Sequence, residues 1–124
     1  MAKALVVDDS RAVRTILARA LVEIGFEVQE AANGREALDA IEAGSSGVKL
    51  VLADWNMPEM NGLDLLKRLR QNPALSSLAV VMVTTETDLD RIAEALDAGA
   101  NEYVMKPFTQ EVLTEKLQMA GIHP

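Results

Sequence analysis

Cysteine is absent from the 124 residues, so there is no disulfide framework, no thiolate metal site and no cysteine nucleophile. Histidine is almost absent: the one copy, His123, stands beside the C-terminus, where chains fray, which leaves no material for a Ser-His-Asp triad or a multi-histidine metal centre. Long hydrophobic runs are also missing. The longest, such as Leu50 to Ala53 and Ala79 to Val83, fall far below the roughly 18 residues a membrane helix needs. Met1-Ala2-Lys3-Ala4 lacks the long apolar stretch and small-residue cleavage site of a secretory signal, so the expectation is a cytoplasmic protein with no membrane insertion. Basic charge is in deficit: 12 Lys and Arg against 19 Asp and Glu give a net charge of -7, a surface that repels nucleic acid and anionic lipid. Any chemistry must run on carboxylates, hydroxyls and amines.

What is present is the composition of one globular domain, expected to span residues 1–124, with 49% hydrophobic and 25% charged residues. Brief apolar segments rich in Val and Leu read as strands at Ala4 to Val7, Phe26 to Ala31, Leu50 to Ala53, Ala79 to Val83 and Tyr103 to Met105. Between them apolar residues recur at helical spacing. Val13, Ile16, Leu17, Ala20, Leu21 and Ile24 form one stripe, and Leu89, Ile92, Ala93 and Leu96 another. Ala37, Leu38 and Ile41, then Leu63, Leu66 and Leu69, then Val112, Leu113 and Leu117 mark the other three helices. Ser10, Asn33, Asn61, Asp88 and Thr109 stand at N-cap positions, Asn33 with Glu36 three residues later as in a capping box. Gly25, Gly44 and Gly99 follow helix ends, and Asn72-Pro73 stops the third helix.

Five βα units in series imply an α/β fold, a (βα)5 flavodoxin-like three-layer sandwich, because right-handed crossovers place helices on both faces of a parallel sheet. The segments around Leu5, Val51 and Val81 are apolar on both faces, whereas Phe26-Glu27-Val28-Gln29-Glu30 alternates and the segment at Tyr103 is short. The second and fifth strands are therefore edges, and the order 2-1-3-4-5 satisfies this, with its crevice beyond the carboxyl ends of strands one and three.

The informative residues follow the strands: Asp8-Asp9-Ser10, Asp54, Thr84-Thr85 and Lys106-Pro107. With strands one and three about 5 Å apart, Asp8, Asp9 and Asp54 must crowd together, and like charges that close need a cation among them. Hard oxygen ligands without His or Cys favour Mg2+, with Mn2+ the alternative. A carboxylate can attack phosphorus while a metal ion and an ammonium, here Lys106, neutralise the moving oxygens and Thr84 offers a hydroxyl donor. Any one Asp after a strand is about as often only a helix N-cap, so the weight lies in the combination. Trp55 is expected to be half buried and without a role, His123 to belong to the tail, and Met57, Met60, Met82 and Met105 to fill core. Asp88, Asp90, Glu94 and Asp97 read as a solvated face.

Leu5-Val6-Val7-Asp8-Asp9-Ser10, then Asp54-Trp55-Asn56-Met57-Pro58-Glu59-Met60-Asn61-Gly62, then Thr84, then Lys106-Pro107-Phe108 resemble the receiver domain of two-component response regulators, and the match covers the whole chain. With no output domain following, it is most similar to that family's stand-alone chemotaxis regulators. The resemblance implies that Asp54 is the phospho-acceptor, that Asp9, Asp54 and the backbone carbonyl of Asn56 bind Mg2+ directly, and that Asp8 binds it through water. It places the family's lysine at Lys106, its switch hydroxyl at Thr84 and its switch aromatic at Tyr103, and it implies a cis Lys106-Pro107 peptide. Where the family commonly has a small residue after the switch hydroxyl, this chain has Thr85. Asn56 and Glu86 occupy positions that tune phosphoryl hydrolysis.

The implied function is that of a signalling domain and not an enzyme in the usual sense: a histidine kinase donates the phosphoryl group, and a downstream protein such as the flagellar motor switch reads the result. A regulator of another pathway, such as cell-cycle control, or a phosphate sink is the alternative within the family. Outside it stand a small metal-dependent aspartyl phosphatase, for which 124 residues leave little substrate-selecting material, and a flavin-binding electron carrier, whose phosphate loop would not carry Asp8 and Asp9. A monomer is expected, on the ground that no exposed apolar stripe is evident.

Overall fold

A computed structural model describes residues 2–43, 47–85 and 89–124. Lys3–Val7, with four consecutive apolar residues, forms a strand buried on both faces, and from there strands and helices alternate. The order is β1 (Lys3–Val7), α1 (Arg11–Ile24), β2 (Glu27–Ala31), α2 (Gly34–Glu42), β3 (Val48–Asp54), α3 (Gly62–Arg70), a short 3-10 turn (Pro73–Leu75), β4 (Ala79–Thr84), α4 (Leu89–Asp97), β5 (Glu102–Met105) and α5 (Gln110–Met119). All five strands are parallel in the order β2-β1-β3-β4-β5. The flavodoxin-like sandwich and its strand order are those the sequence predicts.

Side chains alternate across the sheet and divide the core in two. Leu5, Val7, Val51, Ala53, Val80 and Met82 point toward α2, α3 and Ala95 of α4. Ala4, Val6, Leu50, Leu52, Val81, Val83 and Val104 point the other way, against Leu17 and Leu21 of α1 and Leu113 and Leu117 of α5. The registers set Val7 opposite Ala53, Asp54 opposite Val83 and Thr84 opposite Met105. The residues that follow these positions leave the sheet along one edge.

The caps fix where the helices begin. Ser10, Asn33, Asn61 and Thr109 accept from the backbone N–H groups of Val13 (3.3 Å), Glu36 (2.8 Å), Asp64 (2.8 Å) and Val112 (3.1 Å). Glu36 reaches back to the N–H of Ala32 at 2.8 Å, one residue before the cap, so the box is closed a residue early. Gly25 takes φ 122°, a left-handed conformation a side chain would resist, and its N–H closes α1 on Leu21 and Val22. Helix α3 ends at Arg70, and Asn72-Pro73 opens the 3-10 turn instead, the Asn72 side chain accepting from Ala74 at 3.0 Å. The expected caps Gly44 and Asp88 lie outside the described residues.

Several expectations need correction. Strand β3 runs further at both ends than Leu50 to Ala53, and β2 starts after Phe26, whose N–H is held by the Leu21 carbonyl at 3.0 Å under α1. On α4 only Ile92 of the predicted stripe is buried, and the small Ala95 completes the contact; Leu89 is 76% exposed and Leu96 is also exposed. A helix over the edge of a sheet covers a narrow strip, so part of an apolar stripe stays in water. Met105 on the edge strand, 39% exposed, is not core filler, and Val112 and Ile16 are exposed too. The premise that apolar side chains leave no exposed stripe therefore fails. Among the described residues, no helix is long and apolar enough to cross a membrane.

Candidate functional site

Asp8 is the first residue beyond β1 and is 1% exposed. A carboxylate so deep must be fully hydrogen-bonded, and it is. Its Oδ1 accepts from the Ser10 N–H at 2.8 Å and its Oδ2 from Lys106 Nζ at 3.2 Å. Its N–H donates to the Ala31 carbonyl at 3.2 Å, and its own carbonyl accepts from Arg14 Nη1 at 2.7 Å. Asp9, the next residue, is exposed.

Asp54 ends β3, 6% exposed, with its Oδ1 3.4 Å from the same Lys106 Nζ. Burial pushes its carboxyl above the ordinary 3.8; Lys106 opposes the shift, the Asp8 charge adds to it, and the Asn56 N–H, which donates to the carboxylate, opposes it again. Lys106 follows β5, and its N–H donates to the Thr84 carbonyl at 2.8 Å, which ties the end of β5 to the end of β4. The Lys106-Pro107 peptide is cis.

Carboxylate oxygens of Asp8, Asp9 and Asp54 lie within 4.8 Å of one another. Three carboxylates against the one ammonium of Lys106, with oxygen donors and no nitrogen or sulfur, suit a hard divalent cation entering from the solvent side beside Asp9. Two of the three acids are buried, which separates this cluster from an ordinary acidic surface.

The remaining predicted residues fall around this core. Thr84 is buried at the end of β4, and Thr85 beyond it is exposed. Tyr103 is half buried on β5 with Lys116 Nζ 4.4 Å from its ring centre; Lys116 also pairs with Glu102 at 3.6 Å. Asn56 is exposed, and Glu86 lies outside the described residues. Trp55 is buried, 5% exposed, not half buried: its N–H donates to the Val83 carbonyl at 3.1 Å and its carbonyl accepts from Gly62 at 3.0 Å. These two bonds draw the chain after Asp54 back against the sheet and turn a loop residue inward.

Two residues near the site escape sequence reasoning. A Cβ on Gly62 would collide with the Asp54 carbonyl oxygen and lie 2.6 Å from Met82 Cε, so α3 can approach β3 only with glycine there. The glycine is visible in the motif, but the close approach is not. Arg14 looks like a surface helix residue until β2 and the β1–α1 loop fold around it.

Comparison with known proteins agrees with this geometry. The family described as response regulator receiver domain matches residues 4–118. The chain is 45% identical over 118 residues to chemotaxis protein CheY1 of Helicobacter pylori, covering 94% of each chain. It is 45% identical over 117 residues to the chemotaxis protein CheY homolog of Campylobacter jejuni, covering 94% of this chain and 89% of that one. Among solved structures, chemotaxis response regulator CheY4 of Vibrio cholerae superimposes with a TM-score of 0.85 at 37% identity, over 97% of this chain and 98% of that one. The chain belongs to the response regulator receiver domain family.

Proposed function

We propose that the chain, read as a single receiver domain over residues 1–124, accepts a phosphoryl group on Asp54 from a histidine kinase and thereby controls a downstream protein. The observation that carries this reading is the Lys106 ammonium held between Asp8 (3.2 Å) and Asp54 (3.4 Å) with Asp9 on the open side. In the transfer, an Asp54 oxygen bonds to phosphorus as the phosphorus–nitrogen bond of phosphohistidine breaks; the imidazole keeps the electron pair and takes up a proton. Lys106 places its positive charge against the phosphoryl oxygens. Receiver domains bind Mg2+ at an acidic pocket. Here Asp9, Asp54 and the Asn56 carbonyl would hold Mg2+ or Mn2+ directly and Asp8 would hold it through water. When bound, the ion supplies further charge neutralisation and a template for the phosphoryl oxygens.

Thr84 then turns its hydroxyl to the phosphoryl group and Tyr103 moves inward, which biases a two-state equilibrium and changes the surface formed by α4, β5 and α5. Asn56 and Glu86 set the rate of phosphoryl hydrolysis. The relatives are named as chemotaxis proteins, which supports a role in chemotaxis; a cytoplasmic location and the flagellar motor switch as the target are the finer part of the same proposal. The test is labelling by a phosphoramidate donor, whose phosphorus–nitrogen bond mimics phosphohistidine. Wild type is expected to form a covalent acyl phosphate in the presence of Mg2+, and Asp54→Asn to form none. Labelling of Asp54→Asn at the wild-type rate, or undiminished labelling in excess chelator, would overturn the reading; steady turnover of small phosphomonoesters would point to a phosphatase instead.

A further inference from the structure

We infer that Arg14 is a positioning residue for the acidic site: it fixes the peptide between Asp8 and Asp9 and so sets the affinity for a divalent cation. The inference rests on the metal site proposed above. Arg14 lies on the second turn of α1, four residues after the Ser10 cap, and its side chain is only 15% exposed. Nη1 donates to the Asp8 carbonyl at 2.7 Å, and Nε pairs with Glu30 Oε1 on β2 at 3.3 Å. One planar fork thus ties the loop that carries the acids to the neighbouring strand, a task a flexible point charge performs poorly.

The consequence falls on Asp9. Asp8 is already anchored at its N–H and at both carboxylate oxygens. Its carbonyl sets the plane of the next peptide, and hence the direction in which Asp9 leaves the strand. Asp9 is exposed, yet its carboxylate lies within 4.8 Å of those of Asp8 and Asp54. Outer contacts that orient metal ligands commonly govern affinity as strongly as this.

The sign of the effect separates positioning from charge. Arg14 is a cation close to a cation site, so removing it on electrostatic grounds alone would tighten metal binding. Loss of positioning weakens it. The test is calorimetric titration of the full chain with Mg2+ alone, beside thermal unfolding in chelator. Wild type is measured first, and a wild type that binds no Mg2+ would sink the proposed site itself. With wild type binding, Arg14→Met, which keeps the apolar stem, is expected to bind about 10-fold more weakly, and Arg14→Lys about 3-fold more weakly because an ammonium reaches one oxygen and not both. Equal or tighter binding by Arg14→Met would overturn the inference, as would a lower unfolding temperature with unchanged affinity, the mark of a merely structural role. Should Arg14→Met fail to fold, Arg14→Lys decides: weaker binding supports the inference and wild-type affinity overturns it.

Discussion

Asp54→Asn should stabilise the metal-free protein and abolish its stabilisation by Mg2+. The amide keeps an oxygen to accept from Lys106 and removes one of three crowded charges. At an effective dielectric of about 20, Lys106 at 3.4 Å attracts the Asp54 carboxylate by about 5 kcal/mol, and Asp8, no further than 4.8 Å away, repels it by at least about 3.5 kcal/mol. The net attraction, at most about 1.5 kcal/mol, is smaller than the several kcal/mol lost in burying a carboxylate. The net cost is the physical content of the raised pKa. In chelator at pH 7 the variant is therefore expected to be more stable by about 1–2 kcal/mol, or roughly 3–8 °C in unfolding temperature. At Mg2+ a hundredfold above its dissociation constant, wild type gains about 2.7 kcal/mol and the variant little, so the order reverses. The pH dependence has a definite sign. The folded-state pKa lies above the ordinary 3.8, so between the two values the native state holds the extra proton. Wild type loses stability relative to the variant as pH rises through that window, and the deficit closes as pH falls. Urea unfolding followed by Trp55, the only tryptophan and buried beside Asp54, measures all three quantities. A variant less stable than wild type in chelator, or one that gains as much from Mg2+, would refute the electrostatic account.

Lys106→Met leaves Asp8 buried without its cation, so it should cost about 3 kcal/mol in urea unfolding and slow phosphoryl transfer at least about 100-fold, measured by labelling at saturating donor. Gly62→Ala forces a methyl against the Asp54 carbonyl and Met82 Cε; a loss of about 2–3 kcal/mol is expected, and a neutral result would mean that α3 can move away from β3 freely. Arg70 bonds the carbonyls of Gly99 (3.0 Å) and Leu75 (3.1 Å) and the Asn101 side chain (3.0 Å) at the opposite end of the sheet from the acids. Arg70→Ala should therefore lower stability by about 2 kcal/mol while leaving Mg2+ affinity within error, as read by titration calorimetry.

How much of this was legible depends on the distance over which each feature is decided. N-caps such as Asn61 are decided within four residues, and the structure shows Ser10, Asn33, Asn61 and Thr109 capping where the sequence places them. Strand order follows from which segments are apolar on both faces, because a strand buried between two helix layers cannot hide a polar alternation like that of β2. The crowding of Asp8, Asp9 and Asp54 follows from that order alone. What the sequence hides is decided by contacts far along the chain. The apolar face of α4 is real, but the width of the sheet beneath it determines that Ile92 and Ala95 are covered while Leu89 and Leu96 are not. Trp55 turns inward because Val83 and Gly62 bracket its backbone. Arg14 reaches Glu30 across 16 residues, and no local pattern announces that contact.

The same bonding pattern bears on which acid reacts. Asp8 has both carboxylate oxygens, its N–H and its carbonyl engaged, so using one of its oxygens as a nucleophile would break contacts that hold the β1–α1 loop in place. Asp9 is exposed, on the side from which a cation would enter. Asp54 differs from both. It is desolvated at the end of a central strand, it stands against the charge of Asp8, and it shares an ammonium that is already committed to Asp8. Burial and like charge raise its affinity for a proton, and the same terms raise its affinity for phosphorus. The proposed acceptor is thus the acid whose carboxyl burial pushes upward, while Asp8, the better-bonded neighbour, supplies a fixed negative charge that adds to the shift.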